Sequence, residues 1–263
     1  MPSEVVVFLG PTLPHTEASG FLDATYLPPA EQGSVVRAVR TYLPRAIVLI
    51  DGSFGKVPAV RHKEILWALA KGIRVFGAAS MGALRAAELA AVGMRGHGYI
   101  YRWYALTPLA DDDEVAVAMC PPELGAAPLS EALINIRLTL RRALRAGIVT
   151  AEERRALEGL ARDTHFVDRS YARLLADARS TLPHKSGPAL DRLAHWLPSG
   201  ALDRKRGDAI ELLTTLARCP HLVGKGQDNA PFRLTEAWAY DLDAAGLWDD
   251  DITSILADNG KMT

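Results

Sequence analysis

Three side chains in the first third of the chain, Asp51, His62 and Ser80, are of the types that form an acid–base–nucleophile set. In such a set a serine hydroxyl attacks an acyl carbon after a neighbouring base removes its proton, and a carboxylate orients that base. The three residues therefore predict acyl-transfer chemistry, provided that the fold brings them together.

Ser80 lies between the apolar run 73–79 and a segment rich in Ala, Leu, Arg and Glu, which favours a helix. The spacing Ala78-x-Ser80-x-Gly82 approximates the nucleophile elbow of hydrolases, with alanine where that motif usually has glycine. We therefore predict a sharp strand-to-helix turn at Ser80. The alternative is a helix N-cap, whose hydroxyl only accepts a backbone hydrogen bond.

His62 is the candidate base, and Asp51 is the candidate carboxylate. Asp51 ends an apolar run, where a charged group is costly unless it is paired or faces a crevice. His62 precedes apolar residues one and two turns further along a predicted helix, so we expect it to face inward. A core histidine bonded to a backbone carbonyl is the alternative. Glu64 and Lys63 are competing bases, which the spacing places on the solvent side.

The groups predicted to bind substrate surround Ser80. Met81 and Gly82 begin a helix, and free N–H groups there stabilise a negative oxygen. Gly10 and Thr12 lie in a proline-stiffened loop after the first apolar run. That loop lacks the repeated glycines and the Lys-Ser/Thr end of a phosphate loop, so we expect no nucleotide. Arg85 is a candidate carboxylate ligand, although a pair with Glu88 three residues on is the alternative.

Alternating strand and helix patterns in the first hundred residues predict how these groups are positioned. A βαβα order implies a parallel sheet with right-handed crossovers and ligands at the carboxyl ends of its strands. Gly10, Asp51 and Ser80 all lie at such ends. The patterns predict strands over residues 4–10, 46–51 and 73–79, and helices over 34–43, over 58–71 and from Gly82 onward.

The rest of the chain is mainly helical in pattern. We predict an irregular segment at 93–104 and leave 111–119 open between a strand and the start of a helix. The predicted class is α/β, with a parallel Rossmann-like sheet in the N-terminal half and a helical C-terminal region. The predicted regions are an α/β domain at 1–128, a helical region at 129–218 and an acidic segment at 219–263. The helices are predicted at 129–146, 150–165, 168–179, 188–196, 203–218 and near 235–244.

Composition limits the function classes. The 263 residues carry a net charge of −1, which argues against nucleic acid or an anionic membrane as partner. Two cysteines are too few for a disulfide framework, and no apolar run reaches the ~20 residues that span a bilayer. The start of the chain lacks the basic region of a signal peptide, so we expect a cytoplasmic protein. We expect no metal or other cofactor, although the acidic run 111–114 is an alternative cation site if it is not a solvated turn.

Charge is unevenly distributed along the second half. Residues 129–218 hold 16 Lys and Arg against 11 Asp and Glu, whereas residues 219–263 hold 3 against 8. Arg137, Arg141 and Arg145 are four apart on one predicted helix face, so we predict a partner-binding row. The alternatives are a solvated face and a mutual neutralisation of the two segments.

Six short segments match those of one known group of proteins, both in their residues and in their order along the chain. They are Phe-Leu-Gly-Pro-Thr-Leu (8–13), Leu-Ile-Asp-Gly-Ser-Phe (49–54), His-Lys-Glu-Ile-Leu (62–66), Gly-Ala-Ala-Ser-Met-Gly-Ala-Leu-Arg-Ala-Ala-Glu-Leu (77–89), Gly-Met-Arg-Gly-His-Gly (93–98) and Asp-Asp-Glu-Val-Ala-Val (112–117). Over roughly residues 4–140 the chain resembles the TfuA-like family. Further along, Asp203-x-Lys205-Arg206-x-Asp208-Ala209 resembles that family more loosely.

The resemblance implies a role beside a YcaO-type enzyme that makes thioamides in peptide backbones. It also implies release of sulfide from a small, ThiS-like sulfur-carrier protein that ends in a glycine thiocarboxylate. Attack by Ser80 on that acyl group suits this chemistry, and residues 93–98 with Tyr104 are candidates to line a narrow channel for the carrier's tail. The alternative is a non-catalytic adaptor that docks the carrier and activates the YcaO enzyme.

Overall fold

Five parallel strands form the centre of the molecule in the computed structural model, which describes residues 4–55, 57–107, 110–111, 113–224, 232–249 and 252. The strand order is β2-β1-β3-β4-β5, so the sheet grows in opposite directions from β1 and β3. The predicted α/β class with a parallel sheet is confirmed. The strands are β1 Val5–Phe8, β2 Thr25–Leu27, β3 Ala46–Leu49, β4 Arg74–Ala78 and β5 Arg95–His97.

The three central strands are the three that the sequence predicts. β1 and β3 are buried along their whole length, as expected when helices cover both faces of a sheet. The edge strands β2 and β5 have only three residues each, and β5 reads Arg-Gly-His, which carries no apolar signal. The prediction of an irregular segment at 93–104 is therefore wrong: this segment holds β5 and most of the helix that follows it.

Helices cover the sheet and fill the second half of the chain. Residues 111–119, left open between strand and helix, form neither where they are described. None of the helices in the described ranges is long and apolar enough to cross a membrane. The helices are α1 His15–Ala18, α2 Ser34–Tyr42, α3 His62–Ala70, α4 Met81–Leu89, α5 Gly98–Leu106, α6 Leu133–Arg145, α7 Ala151–Asp163, α8 Tyr171–Thr181, α9 Gly187–Gly200, α10 Arg204–Arg218 and α11 Glu236–Ala244.

The two faces of the sheet are covered by different parts of the chain. Helices α2, α3 and α11 pack on one face. The other face packs against α10, through Ala209, Leu212, Leu213 and Leu216. Helices α6 to α9 have a core of their own. The division into 1–128, 129–218 and 219–263 stays a prediction, but α10 and α11 show that all three segments contribute to covering one sheet.

The start of α4 lies directly on the backbone of the central strands. A Cβ atom built on Gly82 would overlap the Leu49 carbonyl oxygen, and one built on Gly77 would overlap the Gly82 carbonyl oxygen. Because both carbonyl oxygens are backbone atoms, no side-chain rotation relieves these overlaps. Glycine at both positions therefore lets α4 begin against β3 and β4.

We expect Gly82→Ala to lower the free energy of unfolding by about 1–3 kcal/mol, because the added methyl group pushes α4 away from β3. Urea denaturation measures the change. The matched control is Gly159→Ala in α7, where a Cβ meets nothing within 4 Å. That change is expected to stabilise the protein by about 0.4–1 kcal/mol, since it restricts the unfolded chain. Equal effects of the two substitutions would contradict this account of the α4 contact.

Candidate functional site at the carboxyl edge of the sheet

Ser80 lies on a sharp turn between β4 and α4. The backbone N–H of Ser80 donates to the carbonyl oxygen of Ala78 at 2.7 Å, and the intervening Ala79 has φ of 66°. A three-residue turn with a left-handed centre is rare and strained, and strain of this kind costs on the order of 1–3 kcal/mol for a residue other than glycine. The structure thus presents Ser80 on a turn that the surrounding packing holds in place.

The Ser80 hydroxyl is not used by the helix that it precedes. Ser80 occupies the N-cap position of α4, yet its side chain makes no capping hydrogen bond. Its carbonyl oxygen accepts from the Ala83 amide at 2.9 Å, so the backbone alone closes the first turn. The residue as a whole is 6% exposed. The capping alternative does not describe this side chain.

The first amides of α4 lie beside that hydroxyl. The Gly82 amide donates to the Ile50 carbonyl oxygen at 3.2 Å, which fastens the helix start to the end of β3. For the Met81 amide, the described backbone supplies no acceptor. An amide that immediately follows a nucleophile at a helix N-terminus is placed to stabilise a negative oxygen. Met81 is therefore the candidate oxyanion donor.

Asp51 is buried beyond β3 and is fully engaged with the loop after β1. Its Oδ2 accepts from the amides of Gly10 at 2.9 Å and Thr12 at 3.0 Å, and its Oδ1 accepts from the Thr12 hydroxyl at 2.6 Å. These three donors replace water for a carboxylate that is 1% exposed. Gly10 and Thr12, predicted to wall the site, are thus held by Asp51.

Asp51 and Ser80 follow neighbouring strands. In the pairing of β3 with β4, Leu49 lies opposite Gly77, and both chains turn a few residues further on. The structure therefore brings Asp51, Ser80, Gly10 and Thr12 to one edge of the sheet. Among the residues that the structure describes, no base bridges Asp51 to Ser80 in the way that the predicted set requires, because the Asp51 oxygens accept from the 10–12 loop.

His62 is not part of this group. It is the first residue of α3, its side chain is 46% exposed, and its Nε2 lies 2.8 Å from the Glu88 carboxylate. Glu88 and Ser80 are eight residues apart along α4, which corresponds to about 12 Å at the rise of an α-helix. The expected inward orientation of His62 is wrong because α3 begins at residue 62 and its inward face starts later.

That inward face carries Glu64, which the spacing had placed toward solvent. The Glu64 carboxylate is buried and accepts from the amides of Gly33 at 2.8 Å, Arg61 at 3.0 Å and Val35 at 3.2 Å. Burial raises the pKa of Glu64, and the backbone hydrogen bonds oppose this change. Because all three donors belong to the starts of α2 and α3, Glu64 is a structural cap for two helices.

The remaining predicted substrate ligands differ in their contacts. Arg85 donates to the Glu88 carboxylate at 2.6 Å and to the Val60 carbonyl oxygen at 3.2 Å. The structure thus has the pair with Glu88 that was the alternative to binding a substrate carboxylate. Tyr104 is half-buried on α5 and packs against a small apolar cluster that includes Ala83 of α4. Tyr104 thus lies on the α5 side of the Ser80 helix.

The predicted partner-binding row is not a row of exposed charges. Arg137 is buried and contacts Asp111 at 3.0 Å, Glu114 at 3.0 Å and Glu158, so its charge is used inside the protein. Arg141 lies over the Trp103 ring, and Arg145 is exposed. The prediction is wrong for Arg137, because Asp111, Glu114 and Glu158 of α7 cover that side chain.

The acidic run 111–114 is bound by arginines. Asp111 pairs with Arg137 and Arg162, Glu114 pairs with Arg137, and Asp113 pairs with Arg169 at 2.7 Å. Asp112 lies outside the described residues. Among those that are described, no three His, Cys, Asp or Glu side chains form a group that could hold a metal ion.

These ion pairs hold a segment that covers the carboxyl edge, here called the edge loop (residues 110–111 and 113–132). A Cβ on Gly10 would contact Ala126 of this loop, and the Ile134 amide donates to the Glu114 carbonyl oxygen at 3.0 Å. The loop thus closes over the ends of the strands. Three leucines in or next to it are strongly exposed, namely Leu106, Leu124 and Leu129.

Lys205 is a buried polar group at this edge that is not among the predicted site residues. It is 4% exposed, and its Nζ donates to the Val115 carbonyl oxygen of the edge loop at 2.9 Å. Burial lowers the pKa of Lys205, while the carboxylates of Asp51, Asp203 and Glu131 act in the opposite direction. Its only signal in the sequence is its place in Asp203-x-Lys205-Arg206-x-Asp208-Ala209, at the start of a predicted helix.

A cleft of about 480 Å³ opens on the other side of β3, between the ends of β1 and β2 and helix α2. Its walls include Phe8, Pro29, Arg37 and Ser53. None of Asp51, His62 and Ser80 lines it. The cleft is therefore separate from the group around Ser80.

We expect Asp51→Asn to lower the free energy of unfolding by about 1–3 kcal/mol. An amide offers one acceptor oxygen where three donors converge, so a buried N–H or hydroxyl loses its partner. Urea denaturation measures the loss. The control is Asp191→Asn, whose side chain is 74% exposed and for which we expect a change within about 0.5 kcal/mol. An Asp51→Asn protein as stable as the control variant would show that the carboxylate does not hold the 10–12 loop.

Comparison with known proteins bears on the segment that carries this group. The model of the family described as TfuA-like protein matches residues 51–170, which begin at Asp51 and include Ser80 and the edge loop. A comparison with curated proteins found no match. The family match confirms the resemblance seen in the sequence: residues 51–170, somewhat less than half of the chain, match the TfuA-like family.

Proposed function

We propose that this protein hydrolyses a thiocarboxylated, ThiS-like sulfur-carrier protein and so releases sulfide for YcaO-dependent thioamidation of a peptide backbone. The match of residues 51–170 to the TfuA-like family supports a role in thioamidation-related biosynthesis and association with a YcaO partner. The observation that carries the hydrolase proposal is the Ser80 hydroxyl, held on a strained turn, unused as a cap and next to the Met81 amide.

The proposed reaction has two steps. In the first, the Ser80 Oγ attacks the thiocarboxylate carbon, the Met81 amide stabilises the resulting oxyanion, and the C–S bond breaks to give a seryl ester and hydrosulfide. In the second, water cleaves the ester and restores the serine. The overall balance is one thiocarboxylate and one water giving one carboxylate and one hydrogen sulfide. Neither step requires a metal or a nucleotide.

The low exposure of Ser80 favours a slender substrate. A serine residue that is only 6% exposed accepts an extended glycine tail more readily than a chain with side chains. The carboxyl terminus of a carrier that ends in glycine has this shape. In this proposal Asp51 is a positioning residue, because it holds the 10–12 loop against the site.

We expect Ser80→Ala to abolish sulfide release while the free energy of unfolding changes by less than about 0.5 kcal/mol, since the side chain caps nothing. The assay measures sulfide from a carrier with a C-terminal glycine thiocarboxylate, without ATP. Ser199→Ala removes an exposed serine hydroxyl and is the control with expected normal turnover. Normal turnover by a folded Ser80→Ala protein would refute the nucleophile.

We expect His62→Gln to leave both the rate of sulfide release and its pH profile unchanged, because His62 pairs with Glu88 at the far end of α4. Rates across a pH series, compared with wild type, measure this. Loss of an acid limb from the profile in this variant would restore His62 as the base.

The alternative is an adaptor that docks the carrier and activates the YcaO enzyme without chemistry of its own. The exposed leucines of the edge-loop region favour it, since apolar groups at 65–78% exposure are typical of docking surfaces. Sulfide release by the purified protein alone decides between the two. An adaptor releases none until the YcaO enzyme is added, whereas a hydrolase turns over without it.

A further inference from the structure

We propose that one side of α5 is the surface on which the folded body of the sulfur carrier docks, through an acidic face of the carrier that surrounds an apolar residue. The inference rests on the proposed function, whose substrate this surface holds. It is carried by stacked aromatic rings and by arginines without carboxylate partners, beside the helix that follows Ser80. This α5 surface consists of Tyr99, Arg102, Trp103 and Leu106 of α5 with Arg141 and Arg145 of α6.

Two aromatic rings form the centre of the α5 surface. The rings of Tyr99 and Trp103 are stacked, with centroids 6.4 Å apart and an angle of 17° between their planes. The guanidinium carbon of Arg141 lies 5.3 Å from the centroid of the Trp103 ring, and Arg141 donates to the Tyr99 hydroxyl at 3.4 Å. Both aromatic residues remain partly exposed. Trp, Tyr and Arg dominate the binding energy of protein interfaces, and aromatic rings offer a large, rigid contact area.

The positive charges around these rings are not neutralised within the described part of the chain. Arg102 and Arg145 are exposed, and no ion pair in the described ranges involves either of them or Arg141. By contrast, Arg137, four residues before Arg141 on α6, contacts three carboxylates. The whole chain carries a net charge of −1, so this excess of positive charge is local. A protein that covers it with complementary charge must supply carboxylates.

An exposed leucine adds an apolar contact to the α5 surface. Leu106 is 78% exposed and follows Trp103 by three residues, so the two lie on the same side of α5. Apolar and aromatic groups with charged groups around them are typical of the core and rim of a protein interface. The partner surface therefore needs an apolar residue among its acidic ones.

The α5 surface is close to Ser80 because α5 packs on α4. Tyr99 and Trp103 pack against the apolar cluster that contains Ala83, and the Ala83 amide donates to the Ser80 carbonyl oxygen at 2.9 Å. An extended chain spans about 3.3 Å per residue, so a tail of four residues reaches about 13 Å. A protein docked on α5 can thus extend its carboxyl terminus to the Ser80 turn.

The carrier fits this position better than a partner without a tail. A glycine tail has no side chains, so it buries little apolar area and adds little to the free energy of binding. The affinity must then come from the body of the carrier, on a surface within reach of the tail. The α5 surface meets both requirements. A YcaO enzyme or a second copy of this chain has no need to lie beside Ser80.

Charge reversal separates docking from chemistry. We expect Arg102→Glu combined with Arg145→Glu to raise KM for the thiocarboxylated carrier by about tenfold or more, because like charges then face each other. The value of kcat is expected to stay the same, since the reacting groups are untouched. A short peptide that ends in glycine thiocarboxylate lacks the carrier body. We expect the variant and the wild type to hydrolyse this peptide equally well.

The matched control is Arg155→Glu combined with Arg218→Glu, which changes the net charge by the same amount. Both of these arginines are exposed, and Arg218 lies in the last turn of its helix, as Arg145 does. Arg218 is also 14 residues beyond Arg204 on α10, about 21 Å along the helix axis, whereas Arg204 lies over the Tyr99 ring. We expect the control to keep the KM of the wild type for the carrier.

A second variant tests the apolar part of the α5 surface. Leu106→Asp places a negative charge where the carrier is acidic, and we expect KM for the carrier to rise while peptide turnover stays normal. The control is Leu43→Asp at the end of α2, where the leucine is 79% exposed and is likewise next to a helix C-terminus. Normal KM is expected for the control.

Binding without turnover keeps the docking surface distinct from the proposed reaction. In Ser80→Ala protein, calorimetry measures the Kd of the carrier, which is expected to rise with salt and to do so less steeply after charge reversal on α5. If the wild type releases no sulfide but charge reversal still weakens carrier binding, the hydrolysis is refuted and the docking surface stands. Unchanged KM and Kd in both variants would overturn the docking surface, as would an equal loss of peptide turnover. Carrier binding that stays intact while binding of a YcaO enzyme or self-association is lost would overturn it too.

Discussion

The site depends on the direct contact between the start of α4 and the backbone of β3 and β4. With glycine at 77 and 82 the helix begins against the Leu49 carbonyl group, which leaves no room for an ordinary loop between strand and helix. The chain therefore reverses within Ala79 and Ser80, and Ala79 takes a left-handed conformation. The packing of one helix on two strands thus sets the strain, the orientation of Ser80 and the placement of the Met81 amide.

Around this contact, several buried carboxylates accept hydrogen bonds from backbone amides of the protein. Asp51 is bound by the 10–12 loop, Glu64 by the starts of two helices, and Asp208 by the start of α5. Arg137 joins the edge loop to α6 and α7. Against this background of paired groups, the Ser80 hydroxyl forms no capping hydrogen bond. A group that the fold does not use for its own stability is available for chemistry.

The sequence predicts those strands and turns whose own residues form a clear local pattern. The three central strands have long apolar runs, which predict buried strands. The Gly-Ala-Ala-Ser-Met-Gly segment has only small residues where the chain turns, which predicts the sharp turn at Ser80. The strands β2 and β5 are set by pairing to their neighbours and carry little signal of their own. His62 faces solvent and Glu64 faces the interior, the reverse of the prediction, because the start of α3 is four residues later than predicted. Lys205 is missed since its burial arises from contacts with the edge loop, distant in sequence.

The cap that Asp208 forms on α5 has a consequence for the order in which the protein folds. The hydrogen bond from the Ile100 amide to Asp208 joins residues 108 positions apart, and closing so long a loop is entropically slow. The sheet and its crossover helices involve shorter separations and can form before α10 docks. The nascent chain can therefore form the turn that carries Ser80 before α10 covers its face of the sheet.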